Sequence, residues 1–352
     1  MIVYNLLFLI PLSFWLLNKR NNKLENFYFI FLFLYYFIII GLRHNIGNDW
    51  HSYEQSFYNY FNPEMHVNVM TANYFFDFIS NPNLYFGSFE SYNLITSLIF
   101  VLGIFIFSYH QQDKIFAITL CYPYLILFVG MGYIRQSLSI SLFLIAITLI
   151  YKKKSFFGIF FILLALLTHK MVIIPCLIFL LSIKFTNYKS IIALSFAFIP
   201  LVFILFFFTG YAEHMVHFYM TKANYFTSHG VSSRIILAIF PALLLFYKRD
   251  VAYIFNKFES RFFKTSAYFL IVLIPASFFF STAVDRVLIF TSLSYVYIYA
   301  FSNVSFYASN NLKIFLQPAI LMLLIVYLNT WMLFSEYRFF WLPYENLIMR
   351  IF

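Results

Sequence analysis

The chain is 352 residues long, 63% apolar and 24% aromatic, with 10% charged residues and a formal net charge of +10. Together with a mean hydropathy of +0.82, this composition excludes a soluble globular domain. Lys and Arg clustered between apolar runs mark membrane orientation, so the positive balance gives no ground for nucleic-acid binding. The class is all-α, a polytopic integral membrane protein with a single transmembrane domain over residues 1–352.

Apolar runs separated by polar breaks predict about twelve transmembrane helices, near 2–17, 27–42, 89–109, 115–130, 134–151, 155–168, 171–183, 190–208, 234–247, 265–282, 287–302 and 314–334. The first run is followed by Asn18-Lys19-Arg20 with no small-residue cleavage pattern, which predicts a retained span. The sixth and seventh runs are short enough to form a re-entrant pair around Thr168-His169-Lys170. Cys121 and Cys176 lie within apolar runs, where a thiol acts as a small buried hydrophobe and says little about redox compartment.

Lys152-Lys153-Lys154 interrupts two apolar runs and marks that loop as cytoplasmic. With this loop inside, the other inner loops bring the inner share to 15 of the 23 basic residues, while the outer segments hold 9 of the 13 acids. Both termini are then outside, and Arg135 and His169 reach the same outer face. Three outer segments exceed simple turns: residues 43–88, polar and aromatic; residues 209–233, with Tyr211, His214 and His217; and the tail 335–352, whose Phe339, Phe340, Trp341 and Ile348 suit the outer interface.

The chemistry-bearing groups lie on that outer side. Arg135 follows Tyr133-Ile134, precedes Gln136, and stands against Ser137, Ser139 and Ser141. A guanidinium at that depth is either a functional group or an anchor snorkelling to water. Asp285-Arg286, read as a turn between two spans, is either a local ion pair or part of a site. His169 reads equally as a hydrogen-bonded interfacial histidine. His214 and His217 have helical spacing but no acidic partner in a metal motif, so no metal is expected. In the run from Arg43 to Tyr53, Gly47 and Asn48 favour a tight turn that presents Asp49 beside Arg43. On the sharper reading, Arg43, Arg135 and Arg286 converge with Asp49 or Asp285 beneath aromatic rings. That set suits a diphosphate leaving group and a hydroxyl nucleophile, with a carboxylate taking the hydroxyl proton.

The Arg43-to-Tyr53 run with its Gly47-x-Asp49 core, the helix start Tyr133-Ile134-Arg135-Gln136, the short helix ending at His169, the late Arg286 and the terminal Pro343-Tyr344 resemble the EpsG family of Wzy-type polysaccharide polymerases. The family's usual small residue before the Asp is Asn48 here. The resemblance implies a GT-C-like bacterial inner-membrane glycosyltransferase that polymerises O-antigen, capsule or exopolysaccharide repeat units. It implies transfer of the growing chain from undecaprenyl diphosphate to the next lipid-linked unit, with no cofactor and no required metal. It further implies Arg135 and Arg286 on the leaving diphosphate, Arg43 as a positioning group, and Asp49 or Asp285 as general base. Tyr53, Tyr133, Gln136, His169 and Tyr344 are implied substrate contacts. Membrane lipid, a flippase and a chain-length regulator are the implied partners. A transporter or flippase for the same lipid-linked oligosaccharide, or a ligase of finished polymer, remains as the alternative. A transporter of that kind would carry discontinuous midplane helices and two related halves.

Overall fold

The computed structural model describes residues 1–17, 22–60, 74–182, 228, 230–247, 257–278, 280–304 and 310–351. The expected helix at 190–208, most of the 209–233 segment with Tyr211, His214 and His217, and residues 61–73 of the first outer segment lie outside the described residues. Described residues outside helices form turns and short connections, with one isolated β-bridge and no strand. The protein is thus a helical membrane protein.

Four described helices are long and apolar enough to cross a membrane: Leu24–Gly41, Phe89–Tyr109, Ile134–Tyr151 and Phe315–Phe334. The pair Ser281–Phe290 and Ser292–Asn303, bent by 44°, makes a fifth if it is one span. Twelve spans were expected; among the described residues these four meet the length and composition of a crossing, the expected helix at 190–208 lies outside them, and Lys257–Ala276 is long enough but charged in its first half. The apolar helices Ile2–Leu17, Lys114–Gly130, Ser155–Thr168, Lys170–Leu180 and Val231–Leu245 fall short of the roughly 20 residues that a straight crossing needs.

The chain forms two compact units: one of Met1–His66, Tyr74–His169 and Phe301–Phe352, the other built mainly from Lys170–Ala300. In the first unit the elements are α1 (Ile2–Leu17), α2 (Asn22–Gly41), α3 (Trp50–Tyr58), α4 (Tyr74–Ile79), α5 (Phe89–Tyr109), α6 (Lys114–Cys121), α7 (Ile134–Tyr151) and α8 (Ser155–Thr168), with the helix Asn310–Phe334 following later. Helix α6 continues as a π-helical turn sequence over Tyr122–Gly130. Pro123 lacks the N–H that would bond the carbonyl four residues back, and this favours the widened winding.

Helix α7 is the centre of this unit and packs against both α5 and α8. Ser137, Ser139 and Ser141 donate to carbonyls of α7 itself, Ile134, Gln136 and Leu138, so their hydroxyls need no partner on another helix. A Cβ at Gly103 would overlap the backbone and side chain of Ser141, so this glycine lets α5 and α7 approach backbone to backbone. Outward faces stay apolar and exposed, as at Phe27, Ile30, Leu34, Phe156, Met322 and Val326, the composition a lipid-facing surface requires.

Two ends of the unit are defined by contacts. At one, Trp15 donates to Asp113 at 3.3 Å, Lys114 pairs with Glu25 at 3.4 Å, and Asn303 donates to Gln111 at 2.6 Å. At the other, the Tyr4 hydroxyl donates to the Trp341 carbonyl, which puts the start of α1 and the C-terminal tail on the same side. Helix α7, about 27 Å long at 1.5 Å per residue, carries Arg135 at its start and leads to the exposed Lys152-Lys153-Lys154 turn at its end.

The second unit contains α9 (Ile173–Ser182) and the helices Val231–Tyr247, Lys257–Ala276 and Ser281–Phe290, followed by π-helical turns from Ser292. Stacked rings hold it together, including Phe262 on Tyr295 with centroids 5.0 Å apart. The Ser266 and Tyr295 hydroxyls share a hydrogen bond of 3.1 Å.

Candidate functional site

The aromatics of the segment between α2 and α5 form a core of their own. Trp50, Phe57, Phe76, Tyr85, Phe89 and Tyr92 are buried against one another and against Leu138 of α7. The sequence between α2 and α3 makes the turn that presents the polar groups. Gly47 has φ +111°, and a Cβ there would overlap the Met131 carbonyl, so only glycine fits this corner. Trp50 N–H then donates to the Gly47 carbonyl at 3.1 Å, and Asp49 takes the N-cap position of α3.

The C-terminal tail clasps this turn. Leu347 N–H donates to Leu42 at 2.8 Å, His44 N–H to Glu345 at 3.2 Å, and Gly47 N–H to Phe340 at 2.9 Å, while Arg43 and Asn346 form an antiparallel bridge. Trp341 is buried beside Trp331 and Phe128, whereas Phe339 and Ile348 remain exposed. The tail was expected to lie along the outer interface. Its exposed apolar residues keep that option, but its backbone is committed to the 42–47 turn, whose unpaired amides and carbonyls it satisfies.

Arg43 is 2% exposed. Its Nη1 donates to the Ile40 carbonyl at 2.8 Å and to Ser97 Oγ at 3.5 Å, and its guanidinium lies 5.4 Å from the Trp50 ring centroid. Nε is buried without a hydrogen-bond partner, and no carboxylate pairs with this cation among the described residues. Burial pulls the Arg43 pKa well below its ordinary value; nearby Tyr92, Tyr344 and Tyr53 oppose the shift. The carbonyl end of α2 provides partial negative charge, and Asn93 donates to the Gly41 carbonyl there at 2.7 Å.

Arg135 lies in the same neighbourhood. Its backbone N–H donates to the Tyr53 hydroxyl at 3.3 Å, and its guanidinium stands 5.1 Å from the Phe76 ring centroid. Burial raises the Tyr53 pKa, with the Arg135 cation lowering it and the Asp49 carboxylate raising it. Gln136 is buried with Oε1 lacking a partner, and Tyr133 takes the N-cap position of α7. Tyr344 sits edge-on to Tyr4, 5.5 Å between centroids, and accepts a bond from Asn346 at 3.3 Å. Arg43, Asp49, Tyr53, Arg135 and Tyr344 are therefore brought together in one unit, with Trp50 and Phe76 as the aromatic faces. His169, 9% exposed, ends α8 in an extended conformation.

Asp285 and Arg286 belong to the second unit. They lie inside the helix Ser281–Phe290 instead of at a turn between spans. Successive helical residues point about 100° apart, so the two side chains do not face each other. Asp285 instead pairs with Arg234, and Ser228 Oγ donates to the same carboxylate at 3.0 Å. Arg234 was not singled out in the sequence because it lies 51 residues away, beyond any local spacing rule.

No curated protein and no solved structure matches the chain. The model of the EpsG family matches residues 26–346, nearly the whole chain and every candidate residue from Arg43 to Tyr344. The chain belongs to the EpsG family. EpsG is a family of Wzy-like polymerases, and in this EpsG protein Tyr53 of the first loop accepts a hydrogen bond from Arg135 at the start of α7.

Proposed function

We propose that this EpsG-family protein is a membrane glycosyltransferase that polymerises a surface polysaccharide, O-antigen, capsule or exopolysaccharide. It transfers a glycan chain from undecaprenyl diphosphate to the next lipid-linked repeat unit. The observation that carries the reading is Arg43, a buried guanidinium without a carboxylate ion pair among the described residues, near Tyr53, whose hydroxyl in turn accepts from Arg135. A buried cation with neutral partners is costly, and an anionic substrate group offsets that cost.

In the proposed step the acceptor hydroxyl oxygen attacks the anomeric carbon of the donor sugar. The bond from that carbon to the diphosphate oxygen breaks, and the diphosphate leaves with the electron pair. Arg135 and Arg43 bind and orient a diphosphate through forked N–H groups. Asp49 accepts the hydroxyl proton and is preferred to Asp285, whose carboxylate is already engaged by Arg234 and Ser228. Arg286, in the second unit, is proposed as a contact for an anionic group of the substrate, and Tyr53, Tyr133, Gln136, His169 and Tyr344 as further substrate contacts. No cofactor is assigned to the step.

The positive-inside pattern favours the bacterial cytoplasmic membrane with the Lys152-Lys153-Lys154 turn inside and both termini outside, where a lipid-linked donor exposes its diphosphate. About twelve crossings remain the topology that this charge pattern favours, with a flippase and a chain-length regulator as pathway partners.

The test is electrophoresis of surface polysaccharide from cells lacking the gene, complemented with wild type or Arg135→Ala. A ladder that collapses to a single repeat unit and returns only with wild type supports polymerisation with Arg135 in the site. An unchanged ladder in the deletion strain removes the polymerase reading. Loss of repeat-unit export points to a flippase, and full-length polymer that fails to reach its final acceptor points to a ligase.

A further inference from the structure

We infer that Arg234 is a positioning residue that holds the Asp285 carboxylate and so leaves Arg286 as the uncompensated cation of its helix. The inference rests on the proposed role of Arg286 as a diphosphate contact. Arg234 Nη1 forms an ion pair with Asp285 Oδ2, the two side chains being 16% and 14% exposed. Ser228 completes the arrangement: its Oγ donates to Asp285 at 3.0 Å and accepts from Arg234 at 3.4 Å, and its N–H donates to Ser281 Oγ at 3.1 Å. Asp285 Oδ1 makes no hydrogen bond among the described residues. Arg286 takes part in no ion pair among the described residues. The turn Lys170–Val172 packs on the same helix and adds the cationic Lys170 to the unit.

The argument is one of local charge. Asp285 and Arg286 diverge around the helix, yet neighbouring charged groups in a half-buried setting are weakly screened and feel each other. With Arg234 present, the trio of Arg234, Asp285 and Arg286 carries one net positive charge, and the carboxylate is turned toward Arg234. Without Arg234 the net charge is zero, and the carboxylate opposes any anion approaching Arg286. Neutralising both partners returns the net charge to one. Neutralising Asp285 alone raises it to two.

This predicts an activity order that loss of a structural bond does not. The experiment expresses wild type, Arg234→Gln, Asp285→Asn and the double variant in cells lacking the gene. It measures protein abundance in the membrane, and the rate of repeat-unit addition in membrane vesicles containing the strain's own lipid-linked units. Arg234→Gln should lower the rate on the order of tenfold, the double variant should return it to within about threefold of wild type, and Asp285→Asn alone should hold at least the double variant's rate. A double variant as slow as Arg234→Gln overturns the inference, because the bond and not the charge then matters. Inactivity of both variants that carry Asp285→Asn also overturns it, by making Asp285 the base. Should Arg234→Gln fail to accumulate, Arg234→Lys and Asp285→Asn decide: wild-type rates in both support the inference, and a tenfold loss in either overturns it. Arg286→Ala is the separate control, since an unchanged rate there removes the Arg286 assignment itself.

Discussion

The hydroxyl of Tyr53 accepts a hydrogen bond of 3.3 Å from the backbone N–H of Arg135, tying α3 to the start of α7. The first N–H groups of a helix have no partner within it, so Tyr53 supplies one of the missing acceptors and fixes where the guanidinium starts. Tyr53→Phe keeps the ring on Phe76 and loses both the backbone bond and the hydroxyl's hydrogen bond with the Arg135 side chain. A rate loss of about tenfold to thirtyfold is expected, consistent with hydrogen bonds of roughly 1 kcal/mol each. Arg135→Lys should lose more, on the order of 10²-fold, because an ammonium cannot make the forked contact with a diphosphate. Initial rates of both variants in membrane vesicles check the contrast; a wild-type rate in Arg135→Lys, which keeps the backbone N–H, would show that the guanidinium is not needed.

Gly47→Ala should destabilise the protein. At φ +111° an L side chain is strained, and the added Cβ runs into the Met131 carbonyl just ahead of Tyr133. Backbone strain of this kind costs about 1–3 kcal/mol before the collision is relieved. Thermal unfolding of the detergent-solubilised protein reads the cost directly. Because the collision pushes the turn away from α7, activity should fall even at temperatures where the variant is folded.

The tail provides a third prediction. Trp341 is 1% exposed, packs on Trp331 at 5.0 Å between centroids, and offers its carbonyl to Tyr4. Trp341→Ala should destabilise by about 3–5 kcal/mol, the usual effect of emptying a large aromatic site. Ending the chain at Phe334 should additionally free the 42–47 turn, since its bonds to Phe340, Glu345 and Leu347 are lost together. Hydrogen exchange at the amides of His44 and Gly47 measures this: both should exchange faster in the truncated protein. Protection unchanged from wild type would show that the turn holds without its clasp.

Local signals in the sequence were read correctly where the cause is local. Gly47 and Asn48 make the turn that presents Asp49, and the serines after Arg135 leave room for α5, with Gly103 supplying the matching gap. The lysine turn and Arg135 stand at opposite ends of α7, as the charge pattern requires. What was not legible is long-range. The clasp pairs Leu42 with Leu347 and His44 with Glu345, about 300 positions apart, through backbone atoms that carry no residue signature. Asp285 and Arg286 were adjacent and opposite in charge, which suggested a pair; helical geometry turns them apart and gives Asp285 to Arg234. The number of crossings is less legible, because a described run of 10–17 apolar residues has the composition of a span without the length of a straight one.

The assignment of Asp49 as base leads to the last prediction. Asp49 stands at the N-cap position of α3 without a side-chain capping hydrogen bond, so the near-isosteric Asp49→Asn should leave folding intact. The amide is nearly the same shape as the carboxylate but cannot take up the proton of the acceptor hydroxyl. Loss of a general base costs about 10²–10⁴-fold, so the rate of repeat-unit addition should fall by that range while the melting temperature stays within a few degrees. Asp49→Glu should recover part of the rate, because it restores the proton acceptor with a longer reach. Measuring rate and thermal unfolding on the same membrane preparations separates chemistry from stability. If Asp49→Asn polymerises at the wild-type rate, the proton leaves by another route and Asp49 is not the base.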